Sequence, residues 1–455
     1  PAHPITAFGG GFGEYPNDRY FIHKGVVFSD RSLKPHYPEL KHAYQWITIS
    51  EKDIKKGIFT IKNRYEFINL NGLTAKWEVS EEGNKISSGD LVVGMIRPGE
   101  EKDVQIPYKV NPKPGAEYFL RVSFDLAADQ MWAAKGYEVA SQQFILPVAL
   151  PAVADRSQGS KLALKEVTNT ITVEGTDFSL EFDKVKGTFS TIKISGKSIL
   201  QKDGGPMLHL WRAPHQKDDM WAYHDWEKNG LKAITWETNE VKSTQPADNV
   251  VEIKVNLTGT GKNNFVVHHE VVYTINGKGI INVENNVNTS DPTLVLARLG
   301  VRMFLNRDLD RFDYLGRGPM ENYADRKSGS DVGHYASSVI AQMTPYEKPM
   351  ECGNHEDVRW AKVTSGKGFG IAIKQNAALL QVAALPYSDE EMDSVEYKID
   401  LPKSTGTVLC ISHKTLGVGS NGCGPQPLES CRVHATPSTF SYQIELLKGD
   451  KNGLK

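Results

Sequence analysis

Four cysteines are too few to staple a chain of 455 residues. Cys352, Cys410, Cys423 and Cys431 all lie in the last quarter, and their spacings match no small disulfide framework. Cys352-Gly353-Asn354-His355 could be half of a metal site, but no second pair at zinc spacing accompanies it. Buried or half-exposed free thiols are the better reading. The sequence also lacks any apolar run of the ~18 residues that a membrane helix needs, which argues against a membrane partner. A charge excess is missing too. Lys plus Arg is 53 and Asp plus Glu is 55, so the formal charge is −2 and nucleic acid is not expected as the main partner. The chain opens Pro1-Ala2-His3-Pro4, with no initiator Met, basic n-region or apolar h-region. These features fit a soluble protein of the cytoplasm or periplasm. They also raise the question whether this is a whole protein or the later part of a longer one.

What is present has the rhythm of strands. Forty Gly and 23 Pro suit a loop-rich, all-β chain, and the length predicts about three structural units. Residues 1–45 differ from the rest. Gly9-Gly10-Gly11 and Pro16-Asn17-Asp18 mark a loop, and Val26-Val27-Phe28 is long enough for one buried strand end. The pattern from Leu33 to Gln45 predicts a helix with Pro38 near its first turn and Leu40, Ala43 and Tyr44 as its apolar stripe. Such a segment cannot bury a core alone and must close something larger. From Trp46 the period changes to two, most cleanly in Leu120-Arg121-Val122-Ser123-Phe124-Asp125. Turn signals at Asn71-Gly72, Glu82-Gly83, Pro98-Gly99 and Pro114-Gly115 punctuate these strands, so 46–150 reads as an immunoglobulin-like β-sandwich. The Pro-containing, then polar stretch over 145–160 is a linker, with the boundary placed at 151–160. From 161 to 455 strands resume, Asn276-Gly277 sits at a hairpin position, and only Asp225 to Leu231 suggests a helix. So many strands in one unit predict a large two-sheet sandwich.

Three stretches of this large unit carry residues with chemical potential. Leu210 to Trp226 interleaves Trp211, Trp221, Trp226 and Tyr223 with Arg212, His215, Lys217, Asp218 and Asp219. Sugar rings offer apolar faces to aromatics and hydroxyls to charged groups, so the mixture suits a carbohydrate site. The plainer alternative is a loop whose aromatics pack on a sheet. Tyr314 to Arg326 sets Gly316, Gly318 and Pro319 before Glu321, Asn322, Asp325 and Arg326. It lacks the third Gly and the strand–turn–helix context of a nucleotide loop, and a salt-bridged turn that orders the domain is favoured. The glycine-rich stretch Gly417 to Pro425 permits close backbone approach or left-handed turns. No Ser-His-Asp order, metal triad or phosphate cradle stands out. The plentiful carboxylates cannot be paired from sequence at the ~5–9 Å that glycoside hydrolysis requires.

Taken in order, these stretches resemble the C-terminal portion of a glycoside hydrolase family 2 β-galactosidase. Phe12 to Arg19 and Gly25 to Arg31 resemble the end of the family's catalytic barrel, and the helix with Pro38-Glu39-Leu40-Lys41 follows as expected. Trp211-Arg212-Ala213-Pro214, Leu315 to Tyr323, and Gly353-Asn354 to Val358-Arg359-Trp360 resemble its large terminal β domain. The implied fold is mainly β. The last part of a (β/α)8 barrel (1–45) precedes the immunoglobulin-like sandwich (46–150), the linker (151–160) and a galactose-mutarotase-like β-supersandwich (161–455).

The resemblance implies a retaining glycosidase that hydrolyses terminal β-galactosides through a covalent intermediate, using two Glu on barrel strands. A barrel needs about 250 residues, and only its closing part is expected here. No catalytic residue is therefore assigned, and Asn239-Glu240 is read as a chance match to the family's Asn-Glu dipeptide. This portion would complete the active-site rim and the aglycone side and support assembly. Alone it would be inactive. Phe21 matches the barrel-end Phe that borders the galactosyl site and lends a backbone carbonyl to sodium, and Arg19 matches the Arg that braces that loop. Lys24 replaces the family's Asn ligand and cannot ligate sodium. No cofactor is expected in this portion, with magnesium and sodium reserved for the full enzyme. Asp218 falls in the loop after Arg-Ala-Pro that shifts with substrate. Cys423 stands where well-known members place a Trp that stacks on the leaving group, a role Trp221 or Trp226 could assume. Implied partners are a β-galactoside, the upstream barrel of the same protein and a second copy in a homo-oligomer.

Two other classes of function fit parts of this pattern. A free-standing supersandwich could bind sugars or act as a scaffold without hydrolysis. An aldose-mutarotase-like enzyme would need a His and a Glu around C1, with His334 or His355 and Glu321 or Glu351 as members.

Overall fold

The structure, a computed structural model, describes residues 6–23, 25–148, 150–151, 159–215, 219–419 and 425–449, with Tyr20 and Ile22 as backbone. The described residues form two compact units. The expected linker falls largely outside them.

The smaller unit comprises the described residues of His36–Arg156 and Ser328–His334. Its helix α1, Tyr37–Ala43, carries Pro38 in the first turn and buries none of its residues. It is shorter than the sequence pattern predicts. Strands β1 (Ile47–Asp53), β2 (Ile58–Asn63), β3 (Leu73–Glu81), β4 (Asn84–Leu91), β5 (Glu101–Gln105), β6 (Tyr118–Leu126) and β7 (Glu138–Ile145) follow. They form two antiparallel sheets, β1-β2-β5 and β4-β3-β6-β7, around a core that includes Ile47, Phe59, Trp77, Leu120, Val122 and Phe124. This is the sandwich that the period-two pattern predicts. Glu82 and Gly83 take φ of 49° and 72° between β3 and β4, the left-handed pair that a two-residue hairpin needs. Strand β6 departs from the alternation read in its sequence, because Ser123 and Asp125 are buried as well as Val122 and Phe124. Segment 328–334 lies alongside: Gln143 and Val332 exchange two hydrogen bonds of 2.8 Å, and Arg121 meets Asp331 and Glu138.

The larger unit holds the described residues of Pro1–Pro35, Ser157–Lys327 and Tyr335–Lys455. A nine-stranded sheet runs in the order 235–247, 250–260, 266–276, 280–289, 438–448, 369–375, 360–364, 311–318 and, in this unit, 335–338. Two five-stranded sheets accompany it. One is a meander over 163–198, and the other orders 207–209, 298–306, 406–415, 380–385 and 355–358. One continuous apolar core joins them, from Ile171 and Phe182 through Ile253 and Val255 on the long strands to Tyr442 and Ile444. The strict alternation of Val251 to Leu257 appears as alternating burial, so one face of the long strands makes the core. The extra meander enlarges the expected two-sheet sandwich. At the expected hairpin, strand 266–276 pairs with 280–289, but Gly279 rather than Gly277 takes the left-handed φ, 80°. Gly277 is needed for closeness instead: a Cβ there would lie 1.8 Å from the Ser160 carbonyl oxygen.

Val27 does not enter a buried strand. It is 43% exposed and forms an isolated bridge with Leu33. The predicted helix over 225–231 is longer, α2 at Met220–Asn229, stopped by Gly230 at φ 71°. Helix α3, Asp389–Ser394, was missed. Ser388 accepts from the Glu391 N–H and Glu391 accepts from the Ser388 N–H, a capping box whose Ser-x-x-Glu signature was legible.

Candidate functional site

The three chemically rich stretches meet in the larger unit. The first leaves strand 207–209 and turns at Arg212, whose side chain is almost wholly buried. Arg212 Nε and Nη2 donate to the two carboxylate oxygens of Asp219, at 3.1 and 2.6 Å, and that carboxylate also accepts the His215 N–H at 2.9 Å. Burial works against the Arg212 charge, Asp219 more than offsets it, and the guanidinium stays cationic. Its remaining donors reach the carbonyls of Leu416 at 2.7 Å and Gly417 at 3.2 Å. Bidentate pairing is what a guanidinium offers and an ammonium cannot, so Lys could not replace it.

The second stretch supplies the opposite clamp. Asp325 accepts the N–H groups of Val418 at 3.1 Å and Gly419 at 2.7 Å. The first residues of the glycine-rich stretch are thus held by carbonyls on Arg212 and by amides on Asp325. A Cβ on Gly417 would sit 2.6 Å from an Asp325 carboxylate oxygen, so glycine is required there. Beneath this clamp Glu321, 4% exposed, accepts from Arg326 Nη2 (2.5 Å), Thr344 Oγ1 (2.6 Å), the Gly353 N–H (2.7 Å) and Tyr346 OH (2.9 Å). Burial pushes its carboxyl up, but Arg326 and these donors hold it below the usual glutamate value. Asn322 donates to the Arg317 and Met320 carbonyls and accepts the Glu356 N–H at 2.8 Å, which locks this turn to residues 353–356.

A third layer of charge continues inward. Tyr323 OH donates to Glu351 at 3.0 Å, and Glu351 pairs with Arg298. Burial pushes Glu351 up, with Arg298 pulling the other way. Asp389, at the start of α3, accepts the Ala213 N–H at 3.0 Å and faces His209 Nε2 at 2.8 Å. Burial resists ionisation of Asp389, yet Arg298, His209 and Arg302 hold it ionised. His209 itself is lowered to about 4, chiefly by burial and then by Arg302, so it is neutral near pH 7. Arg302 closes the network with two bonds to Glu390, 2.7 and 3.0 Å.

Each of these carboxylates is occupied by donors, and all but Asp325 and Glu390 are buried. The arrangement is a scaffold. It fixes backbone positions and offers no acid or base to an incoming substrate. Partnered charges of this kind are costly to bury and costlier to break.

Comparison with known proteins agrees with this layout. Residues 174–446 match the family model described as beta galactosidase small chain. The chain belongs to that family. Residues 59–147 match domain 4 of beta-galactosidase, and 2–49 match the TIM barrel domain of glycosyl hydrolases family 2. A beta-galactosidase of Priestia megaterium is 32% identical over 91% of this chain and 40% of its own length, and one of Psychromonas ingrahamii is 31% identical over 81% and 37%. The chain spans about two fifths of these relatives. Among solved structures, galactose 1-epimerase of Lactobacillus acidophilus covers 62% of this chain and 96% of its own, at 9% identity and a TM-score of 0.33.

The site residues expected from sequence fall in different places. Arg19 opens the 3-10 turn Arg19–His23 and pairs with Glu396, while Phe21 in the same turn is half-buried. This N-terminal segment is seated by Phe8, which stacks on Tyr397 with ring centroids 4.4 Å apart, and by the Gly9 N–H donating to the Arg19 carbonyl at 2.9 Å. Trp221 lies in the first turn of α2, half-buried, with the Arg432 guanidinium 4.9 Å from its ring. Asp218, Cys423 and Lys24 lie outside the described residues. Trp211 and Trp226 are core residues, and Trp226 Nε1 donates to the Val295 carbonyl at 2.7 Å. The plainer reading of an aromatic loop packed on a sheet therefore holds for them, as the salt-bridged turn does for Glu321 and Arg326.

The other candidates do not assemble. His355 is buried between the Arg317 carbonyl and the Gln342 amide and is lowered to about 4 by burial, so it cannot face a sugar with Glu321 or Glu351. His334 is exposed and belongs to the smaller unit. Cys352 and Cys410 are buried, Cys431 is partly so, and burial pushes Cys410 to about 12. No cluster of three His, Cys, Asp or Glu that could hold a metal occurs among the described residues. Glu240 is paired with Lys242 on an exposed edge strand. Sequence reasoning missed Asp389 and Arg298, and named Glu351 only as a possible acid or base rather than as the partner of Arg298; the signal for the two missed residues was charge placed within or beside otherwise apolar strands.

Proposed function

We propose that this chain works as the C-terminal part of a β-galactosidase, with the two catalytic carboxylates carried by barrel strands outside it. The carrying observation is the succession of three matches along one chain: barrel end, domain 4 and small-chain domain. The relatives named beta-galactosidase support hydrolysis of a β-galactoside as the reaction class; retention through a covalent intermediate is part of the proposal. The role that suits this chain's geometry is positioning. Arg212 and Asp325 fix the entry to the glycine-rich loop, and Phe8 with Tyr397 seats the segment that bears Arg19 and Phe21. These would shape the sugar-binding rim, while the buried network keeps that rim rigid. Association into a homo-oligomer belongs to the same proposal.

Sodium does not follow from the residues described. Phe21 offers one carbonyl, and the residue type at Lys24 brings a cation where a ligand is wanted.

The test compares this chain with the complete gene product on nitrophenyl β-D-galactoside. The chain alone should be silent, and the longer protein should release galactose with its β configuration kept. Turnover by the chain alone at the rate of the longer protein would place the carboxylates within it and sink the proposal.

A further inference from the structure

Two guanidinium groups join the first chemically rich stretch to the glycine-rich one, from opposite ends. Arg212 reaches forward to the carbonyls of Leu416 and Gly417, where the glycine-rich stretch begins. Arg432 lies beyond the end of that stretch and reaches back. Its Nε donates to the Pro427 carbonyl at 3.1 Å, its Nη2 donates to Gln426 Oε1 at 2.9 Å, and its Nη1 lies 3.3 Å from the Glu429 carboxylate. The same guanidinium stands 4.9 Å from the centroid of the Trp221 ring. Trp221 is in the first turn of α2, a turn that Asp219 opens by accepting the Ala222 and Tyr223 N–H groups at 2.9 and 2.7 Å. The Asp219 carboxylate is the one that Arg212 holds. The two arginines therefore brace the same pair of segments. The described ends of the glycine-rich stretch also close on each other. The Gly417 N–H donates to the Cys431 carbonyl at 2.9 Å, and a Cβ on Gly419 would lie 2.9 Å from Pro427 Cδ.

The contacts of Arg432 differ in weight. Glu429 is 70% exposed, so its ion pair is screened and adds little. The Arg432 side chain is only 25% exposed and Trp221 is half-buried, which strengthens the attraction between cation and ring above its surface value. Trp221 Nε1 is buried and has no acceptor among the described residues, so the indole has no hydrogen bond of its own to orient it. Its packing against the apolar core resists compression without fixing direction. The cation on its ring supplies the direction.

We propose that Arg432 is a positioning residue for the sugar-binding rim. It grips Gln426 and Pro427 with its edge and Trp221 with its face, and so sets where the far end of the glycine-rich stretch stands against α2. That role rests on the β-galactosidase reading, which places the cleaving carboxylates on barrel strands outside this chain. Loss of Arg432 should therefore weaken the hold on the sugar and leave bond cleavage unchanged. An ammonium could keep a cation on the ring but cannot grip two oxygens along a planar edge.

The experiment measures kcat and KM of the complete gene product on nitrophenyl β-D-galactoside. It compares the parent with Arg432→Gln, Arg432→Lys, Trp221→Leu and the double variant Arg432→Gln with Trp221→Leu. Arg432→Gln should raise KM at least about fivefold and keep kcat within about twofold. Arg432→Lys should fall between that variant and the parent. Trp221→Leu should also raise KM, and the double variant should be no worse than the worse single, because both residues act through one contact. A purely structural role would reduce the folded fraction, lowering kcat per mole of protein without moving KM, so the split separates the two. An unchanged KM in Arg432→Gln would overturn the proposal, as would effects that multiply in the double variant. A parent that hydrolyses no β-galactoside would sink the β-galactosidase reading and the Arg432 role with it, whereas a failure confined to the variants would overturn the Arg432 role alone.

Discussion

Glu321 is the point at which the buried network is most exposed to failure. Its carboxylate receives four donors, and Arg326 is the charged one. Arg326 is 9% exposed, and its Nε has no partner among the described residues. Glu321→Gln keeps the shape, removes the charge, and turns an NH2 toward donors that need an acceptor. The loss should be about 2–3 kcal/mol, the scale of a charged hydrogen bond plus a stranded donor. Glu321→Ala should cost roughly 4–6 kcal/mol, because breaking a buried pair strands the surviving charge. Replacing both partners, as Glu321→Gln with Arg326→Met, should cost less than the sum of the singles by at least about 1 kcal/mol. Urea unfolding at pH 7.5, read by tryptophan fluorescence, supplies all three values from midpoint and slope. A Glu321→Gln loss below about 0.5 kcal/mol, or strict additivity in the double variant, would refute the view that this pair carries the turn.

Acidification provides a second test. Burial lowers His209, His269 and His355 to about 4, so the folded chain keeps them neutral while the unfolded chain protonates them near 6.5. Their contribution is present above pH 6.5 and is lost as pH falls toward 4, by roughly several kcal/mol in total. Glu356 and Glu351 have the opposite sign. Burial raises Glu356 to about 7 and pushes Glu351 up as well, so their contribution is present below 4.5 and fades as pH rises through 7. Three imidazoles outweigh two carboxyls once the unfolded histidines protonate, and the urea midpoint should fall between pH 6.5 and 5; a flat or rising midpoint would contradict this. Asp325→Ala should release the Val418 and Gly419 amides, raising their hydrogen-exchange rates at least about tenfold with little change in global unfolding. Unchanged protection there would mean that Asp325 is not the clamp. The activity comparison of this chain with the complete gene product completes the set.

The sequence by itself determined the class of structure. Period-two patterning from Ile49 to Phe144 and from Leu162 to Leu446 requires one buried face per strand, and turn signals such as Glu82-Gly83 divide those strands in the register observed. The co-linear motifs, Trp211 to Pro214 and Leu315 to Tyr323 among them, also carried the family. Tertiary structure alone decided what those motifs are for. Arg212, Asp325 and Gly417 lie far apart in the chain, and no local periodicity can report that a guanidinium will meet the carbonyl of Leu416 across 204 residues. Nor could it show that Ser123 and Asp125, polar and alternating, would be buried, because burial depends on which residues pack over that face of the sheet.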